Sequence, residues 1–134
     1  MKPNLIFPAL FISLSFLLAG CGFGDAADVA AKQADKYHKF LQAGNENAML
    51  NMVHEDGIAH DEEGFRGLMH KMATETNITK VEKQMGFNTS INNGITTVRL
   101  NYTLHDKNHG KITEEIVLQD SKEGVMKIIA LNYK

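Results

Sequence analysis

A single cysteine stands among the 134 residues, so neither an internal disulfide framework nor a cysteine-based zinc site can form. Tryptophan is absent, and positive charge is not in excess: 14 Lys and Arg face 16 Asp and Glu, a formal net charge of −2. That balance excludes the basic footprint expected of a protein that grips a nucleic-acid backbone. The phosphate-loop pattern G-x-x-x-x-G-K-[ST], the nucleophile elbow G-x-S-x-G and the zinc-protease pattern H-E-x-x-H are all missing, which removes the common nucleotide and nucleophile schemes. No internal repeat or low-complexity tract appears. What remains is ordinary for a folded protein, with 43% hydrophobic and 22% charged residues. The length allows one domain.

The chain opens with Lys2 and an almost entirely apolar run from Leu5 to Leu18. Such a run falls short of the roughly 20 residues of a comfortable membrane span and follows the pattern of a secretory signal. It closes on Leu18-Ala19-Gly20-Cys21, which resembles the lipobox of bacterial lipoproteins. The resemblance implies cleavage between Gly20 and Cys21, a diacylglyceryl thioether on Cys21 and acylation of the new amine. It also implies a protein held to the membrane of the bacterial cell envelope by its lipid. In a Gram-negative host, Gly22 in place of Asp would send it to the outer membrane, facing the periplasm. Acyl chains contribute roughly 0.8 kcal/mol per buried CH₂, so two or three of them make attachment essentially permanent. Residues 1–20 then form the signal, 21–25 the lipidated N-terminus and a short tether, and 26–134 the domain. Four extended residues reach about 14 Å, which keeps the domain close to the bilayer.

Within the domain the hydrophobic period is first helical and then strand-like. Ala30, Ala34, Tyr37 and Leu41 recur at i, i+4, i+7 and i+11, predicting an amphipathic helix over 26–43 with Asp25 as N-cap and Gly44 as its stop. Asn45 can cap a short helix carrying Met49, Leu50, Met52 and Val53. Gly57-Ile58-Ala59 reads as a brief extended piece. Asp61 then caps a third helix with Phe65, Leu68, Met69 and Met72 on its buried stripe. After Thr76 the period becomes two. A strand is expected over 80–87, with Val81, Met85 and Phe87 in phase. Asn93-Gly94 marks a turn, and a strand over 95–105 puts Val98, Leu100, Tyr102 and Leu104 on one face. A polar turn over 106–111 follows, then a strand with Ile112, Ile116 and Leu118 in phase. The last strand, 125–133, is apolar on both faces and is expected at the centre of the sheet.

This order predicts an α+β fold, with N-terminal helices packed on a curved antiparallel sheet of about four strands. It resembles the NTF2-like (cystatin-like) superfamily over nearly all of residues 26–134, on element order and on an Ala-rich first helix followed by Gly44-Asn45-Glu46.

Several groups are candidates for chemistry. His54-Glu55-Asp56, His60-Asp61-Glu62-Glu63 and His70 form the densest polar cluster, but without the helical spacing of metal ligands they read as a solvated acidic loop, and no metal or cofactor is expected. His105 and His109 read as exposed turn residues. Met49 and Met52, like Met69 and Met72, sit at i,i+3 and read as core that could also line an apolar ligand site together with Tyr37. Glu114 is the oddity: it shares its phase with Ile112, Ile116 and Leu118, so either a regular strand turns it to the apolar side or a bulge or the strand's open end puts it in water, and a hairpin centred near Asn108 places Tyr102 opposite it or one pair away. A carboxylate beside a phenol in an apolar setting could act as a general base with an oxyanion donor, which the resemblance to ketosteroid-isomerase-like members of the superfamily implies as well. The leading expectation is a non-enzymatic, membrane-anchored domain that binds an envelope protein partner or a small apolar ligand, with Tyr37, Met49, Met52, Tyr102 and Glu114 as candidate ligand contacts. Two alternatives stand beside it: an isomerase or dehydratase using Glu114 and Tyr102, and an immunity protein against an envelope-targeted toxin. The oligomeric state is left open.

Overall fold

The computed structural model describes residues 22–134, with side chains from Asp25 onward. Gly20 and Cys21, the expected cleavage and lipidation positions, lie outside the described residues. Over the described residues the fold is α+β, three helices followed by an antiparallel sheet of five strands. Helix α1 spans Gly22–Ala43. It starts earlier than the sequence suggested, so Asp25 stands in its first turn, where the dipole favours an acid, and not at its cap. Gly44 ends it with φ +67°, and the Asn45 N–H returns to the Phe40 carbonyl at 2.9 Å. A left-handed residue after a helix suits glycine, which has no Cβ to clash. Asn45 then caps α2 (Glu46–Leu50) by accepting from the Ala48 N–H.

Helix α3, Glu55–Glu75, replaces the extended piece expected at Gly57–Ala59. Its cap is His54, whose Nδ1 accepts from the Asp56 N–H at 3.0 Å. The buried Gly57 lies against Phe65 and Val53. The helix is broken at Asp61, whose carboxylate accepts from the Gly64 N–H and restarts it, so the capping role expected of Asp61 is present one turn into the element.

The strands are β1 (Ile78–Lys83), β2 (Asn88–Asn92), β3 (Ile95–Asp106), β4 (Gly110–Asp120) and β5 (Met126–Tyr133). The single strand expected over 80–87 is cut at Lys83, and Gly86 has φ +88° in the loop that follows. Consequently β1 and β2 share the same edge of β3, β1 along Tyr102–Asp106 and β2 along Ile95–Arg99. The order is β1-β3-β4-β5 with β2 also on β3, so β5 is an edge strand and not the centre. Its two-faced apolarity has another cause. Ala130 pairs with Val117 and Ile128 with Leu118, leaving Ile129 as the extra residue of a β-bulge. The bulge flips the phase, so Met126 and Ile128 before it and Leu131 after it are all buried. The outer edge of β5 is covered by the segment leading into α3: His54 N–H donates to the Ile128 carbonyl, and Ile128 N–H to the Met52 carbonyl.

The core lies between α1, the Met-rich faces of α2 and α3, and the inner face of β3 and β4. Tyr37, Met49, Met69, Leu100, Leu104, Ile116, Leu118 and Ile128 are all essentially covered. Ala30 and Ala34 are fully covered on α1, so small side chains are what let this helix lie close to the sheet. The turn between β3 and β4 is more than polar padding. Buried Asp106 accepts from the Asn77 N–H at 2.6 Å, from Nδ1 of His109 and from the Asn108 N–H, tying the exit of α3 to the hairpin. Burial pushes the Asp106 carboxyl up, but these three donors outweigh it and hold it below the ordinary aspartate value.

Two outcomes follow. Because its folded value is depressed, Asp106 adds stability above the ordinary aspartate pKa that is lost as pH falls through the lowered one. Asp106→Asn should therefore flatten the acid limb of a pH–stability curve, and an unchanged limb would refute the clasp. Ala34→Leu should destabilise by about 1–3 kcal/mol in urea unfolding, while Ala43→Leu at the exposed helix end should change stability by less than about 0.5 kcal/mol.

Candidate functional site

Glu114 sits in β4 with Ile116 and Leu118 in the same phase, and no bulge intervenes, so the strand turns its carboxylate into the core, where it is completely covered. Its register neighbours are Tyr102 on β3 and Tyr133 on β5, a row of phenol, carboxylate and phenol across three strands. Tyr102 is thus directly opposite Glu114, as the hairpin arithmetic predicts.

Two donors hold the carboxylate. Nε2 of His38, reaching down from α1, lies 2.6 Å from Oε1, and the Tyr133 hydroxyl donates to Oε2 at 2.8 Å. Since Tyr133 spends its proton there, the Tyr37 hydroxyl 2.8 Å away donates to the Tyr133 oxygen, with the Met69 sulfur a longer 3.6 Å contact. The chain of donation runs Tyr37 to Tyr133 to Glu114. A buried carboxylate without such donors would be strongly unfavourable. Both Glu114 oxygens are engaged in this way, so any contact between this group and a ligand runs through His38.

His38 and Tyr102 share the other half of the site. Their rings meet edge to face with centroids 4.5 Å apart. With Nε2 committed to Glu114, Nδ1 of His38 has no partner, and neither does the Tyr102 hydroxyl, although both atoms are buried. Orphaned buried polar groups of this kind call for an explanation. Both side chains line an open cleft of about 410 Å³ between α1 and β1, together with Asp35, Lys39, Gln42 and the Thr79–Lys83 segment. Lys80 pairs with Glu82 at 3.0 Å, whereas Lys39 and Lys83 make no ion pair among the described residues. With Lys80 neutralised by Glu82, Lys39 and Lys83 against Asp35 leave the cleft lining with a small positive excess.

Two other hollows of similar size lie elsewhere, one at Asn101, Thr113, Glu115 and Asn132, the other between α2 and α3 at Glu46, Arg66 and His70. Neither contains a buried polar atom without a partner, which makes the α1–β1 cleft the candidate site. Of the residues singled out in the sequence, Tyr102 lines this cleft, and Glu114 stands behind it. Tyr37 belongs to the donor chain, while Met49 and Met52 fill the core. His54 is structural, since Nδ1 caps α3 and Nε2 binds the Asp120 carbonyl at 2.7 Å. His60 is exposed, and His70 pairs with Glu46 at 2.9 Å, joining α3 to α2. Among the described residues no three His, Cys, Asp or Glu side chains converge as a metal site would need.

His38 and Tyr133 escaped the sequence reading. The signal for His38 was present: Ala30, Ala34 and His38 stand at i, i+4 and i+8, which puts an imidazole on the buried stripe. Tyr133 was concealed by the bulge at Ile129, since uninterrupted alternation from Ile128 turns it outward.

Burial pushes all three phenols above the ordinary tyrosine value, with a further upward push from Glu114 in each and from Asp35 at Tyr102; the hydrogen bond shared with Tyr133 partly offsets this at Tyr37. They are therefore neutral donors over the physiological range. The chain has only these three tyrosines and no Trp, so tyrosine and phenolate absorption reports this site alone. A group whose folded value is raised adds stability below its unfolded value and loses it as pH rises through the folded one. The native protein should accordingly show no phenolate absorbance at pH 10, and phenolate should appear together with alkaline unfolding. Free titration of one or more tyrosines near pH 10 would contradict the geometry. No protein-family model matches this chain, and no curated protein matches its sequence significantly.

Proposed function

We propose that this chain is a lipid-anchored envelope protein of the NTF2-like kind, fixed to the membrane through Cys21, whose domain binds a small anionic ligand in the α1–β1 cleft. The observation that carries the reading is that His38 and Tyr102, which line the cleft together with Lys39 and Lys83, each keep a buried polar atom without a partner, Nδ1 and the hydroxyl. The Tyr102 phenol stays protonated and can only gain from an acceptor. A carboxylate supplies one, and Lys39 and Lys83 match its charge, while Nδ1 of His38, the lone-pair nitrogen once Nε2–H donates to Glu114, calls for a donor such as a hydroxyl on the same ligand. Glu114 acts from behind as a positioning residue that fixes the imidazole through Nε2. The helical start at Gly22, directly after the lipobox cysteine, supports a domain held close to the bilayer.

The same pair favours a second reading. An imidazole oriented by a carboxylate, beside a neutral phenol, is a base with an oxyanion donor, which fits isomerase or dehydratase chemistry with His38 taking the proton in place of Glu114.

Benzoate and succinate are suitable probes for residues 22–134, which contain the whole core described above. Amide shifts should appear and saturate at Asp35–Gln42 and Thr79–Lys83. Tyr102→Phe removes an unpartnered buried hydroxyl, so it should leave stability unchanged yet weaken binding about tenfold. Shifts confined to other surfaces, or none with either probe, would refute the anion site. Turnover of an added carbonyl compound that is lost in His38→Gln would establish the second reading.

A further inference from the structure

The described surface is uneven in where it exposes large apolar side chains. Six are prominent: Val29, Met85, Phe87, Ile91, Ile95 and Val125. Met85 and Phe87 lie in and beside the loop joining β1 to β2 along the sheet edge. The other four gather at one end of the domain. Ile91 and Ile95 flank the Asn93-Gly94 turn of the β2–β3 hairpin, and Val125 stands in the β4–β5 turn. The Thr96 N–H donates to the Asp120 carboxylate, which shows that the two turns share an end of the sheet.

Helix α1 starts at that same end. Its Gln33 side chain donates to the Met126 carbonyl at the head of β5, while Gln42, nine residues later, reaches Ile78 at the far end. Going back from Gln33 to Gly22 at 1.5 Å per residue carries the helix about 16 Å past the head of β5. The hairpin tip extends beyond Thr96 by about 7–10 Å at strand rise. Val29 therefore flanks the helix between Gly22 and Gln33, beside the two turns. The opposite end, with Asn77 and the Lys107–Gly110 turn, carries no exposed large apolar residue among those described.

We infer that the end bearing Val29, Ile91, Ile95 and Val125 rests on the lipid surface, so that the domain is docked on the bilayer and not merely tethered to it. This rests on the membrane-anchor reading, but it has its own physical grounds. On that reading the lipid sits on Cys21, the residue immediately before Gly22, so the chain approaches the membrane at this end. Exposed apolar side chains clustered there have an occupant ready, since they lower their free energy in the headgroup–acyl boundary. Charge does not drive the contact: Asp25, Asp28, Glu55 and Glu123 share this end with Lys122 and Lys127, and Lys127 is already paired with Glu123. Neutral lipid should be sufficient. Docked this way, the α1–β1 cleft runs along the side of the domain and stays open to solvent.

The test uses the full membrane-attached protein in phosphatidylcholine nanodiscs containing headgroup spin-labelled lipid, read by amide NMR. Amides of Ile91–Ile95 and Glu123–Met126 should broaden at least several-fold more than those of Lys107–Gly110. In an Ile91→Ser/Val125→Ser double variant that difference should collapse, because both positions are exposed and their replacement leaves the fold intact. Equal broadening at the two ends, stronger broadening at Lys107–Gly110, or a double variant indistinguishable from the parent would each overturn the docking. A second copy or a protein occupying this face would show as protection without lipid broadening, which also overturns it. Failure of the anchor reading has a separate signature: the protein, or its Cys21→Ser variant against the parent, partitions with no dependence on Cys21.

Discussion

Glu114 is the constraint around which the rest of the domain is arranged. A carboxylate with no exposed surface in the middle of a sheet is unfavourable by several kcal/mol unless its lone pairs are met. Here the donors come from elements far apart in sequence: His38 from α1 and Tyr133 from the last strand. Satisfying one acid thus fixes the rotation of α1 over the sheet and the register of β5 against β4. The bulge at Ile129 belongs to the same solution, because without its phase shift Tyr133 would face outward. Ala30 and Ala34 complete it by letting α1 approach closely enough for an imidazole to reach the strand floor.

That arrangement leaves polar capacity unused on one side only. Carboxylate, Tyr133 and Tyr37 are mutually satisfied, whereas His38 and Tyr102, which line the α1–β1 cleft, each retain a buried atom without a partner. A purely structural network would gain by closing on itself. Met49 and Met52 are buried in the core beside this network.

Much of this was legible in the sequence, for physical reasons. Alternation is a strong signal where one face of a strand is buried, so the long β3–β4 hairpin, the inward turn of Glu114 and its opposition to Tyr102 could all be read from residue spacing. The α+β order and the stripe of α1 were legible for the same reason. Gly57–Ala59 misled because a glycine that permits close packing looks like one that breaks a helix. The edge position of β5 was hidden, since a bulge and a covering segment from α2–α3 bury residues of both phases just as a central strand would. His38 stands on the same stripe, but an imidazole among apolar residues more often marks a satisfied core position than a functional one, so spacing alone does not single it out.

A double-mutant cycle between His38 and Glu114 tests the central claim most directly. His38→Phe, Glu114→Leu and the combined variant would be compared by chemical denaturation. If the buried contact organises the domain, each single change strands the other partner, and the double variant should be more stable than the sum of the two by about 2 kcal/mol. Additivity to within about 0.5 kcal/mol would mean that the helix and the sheet hold together without it.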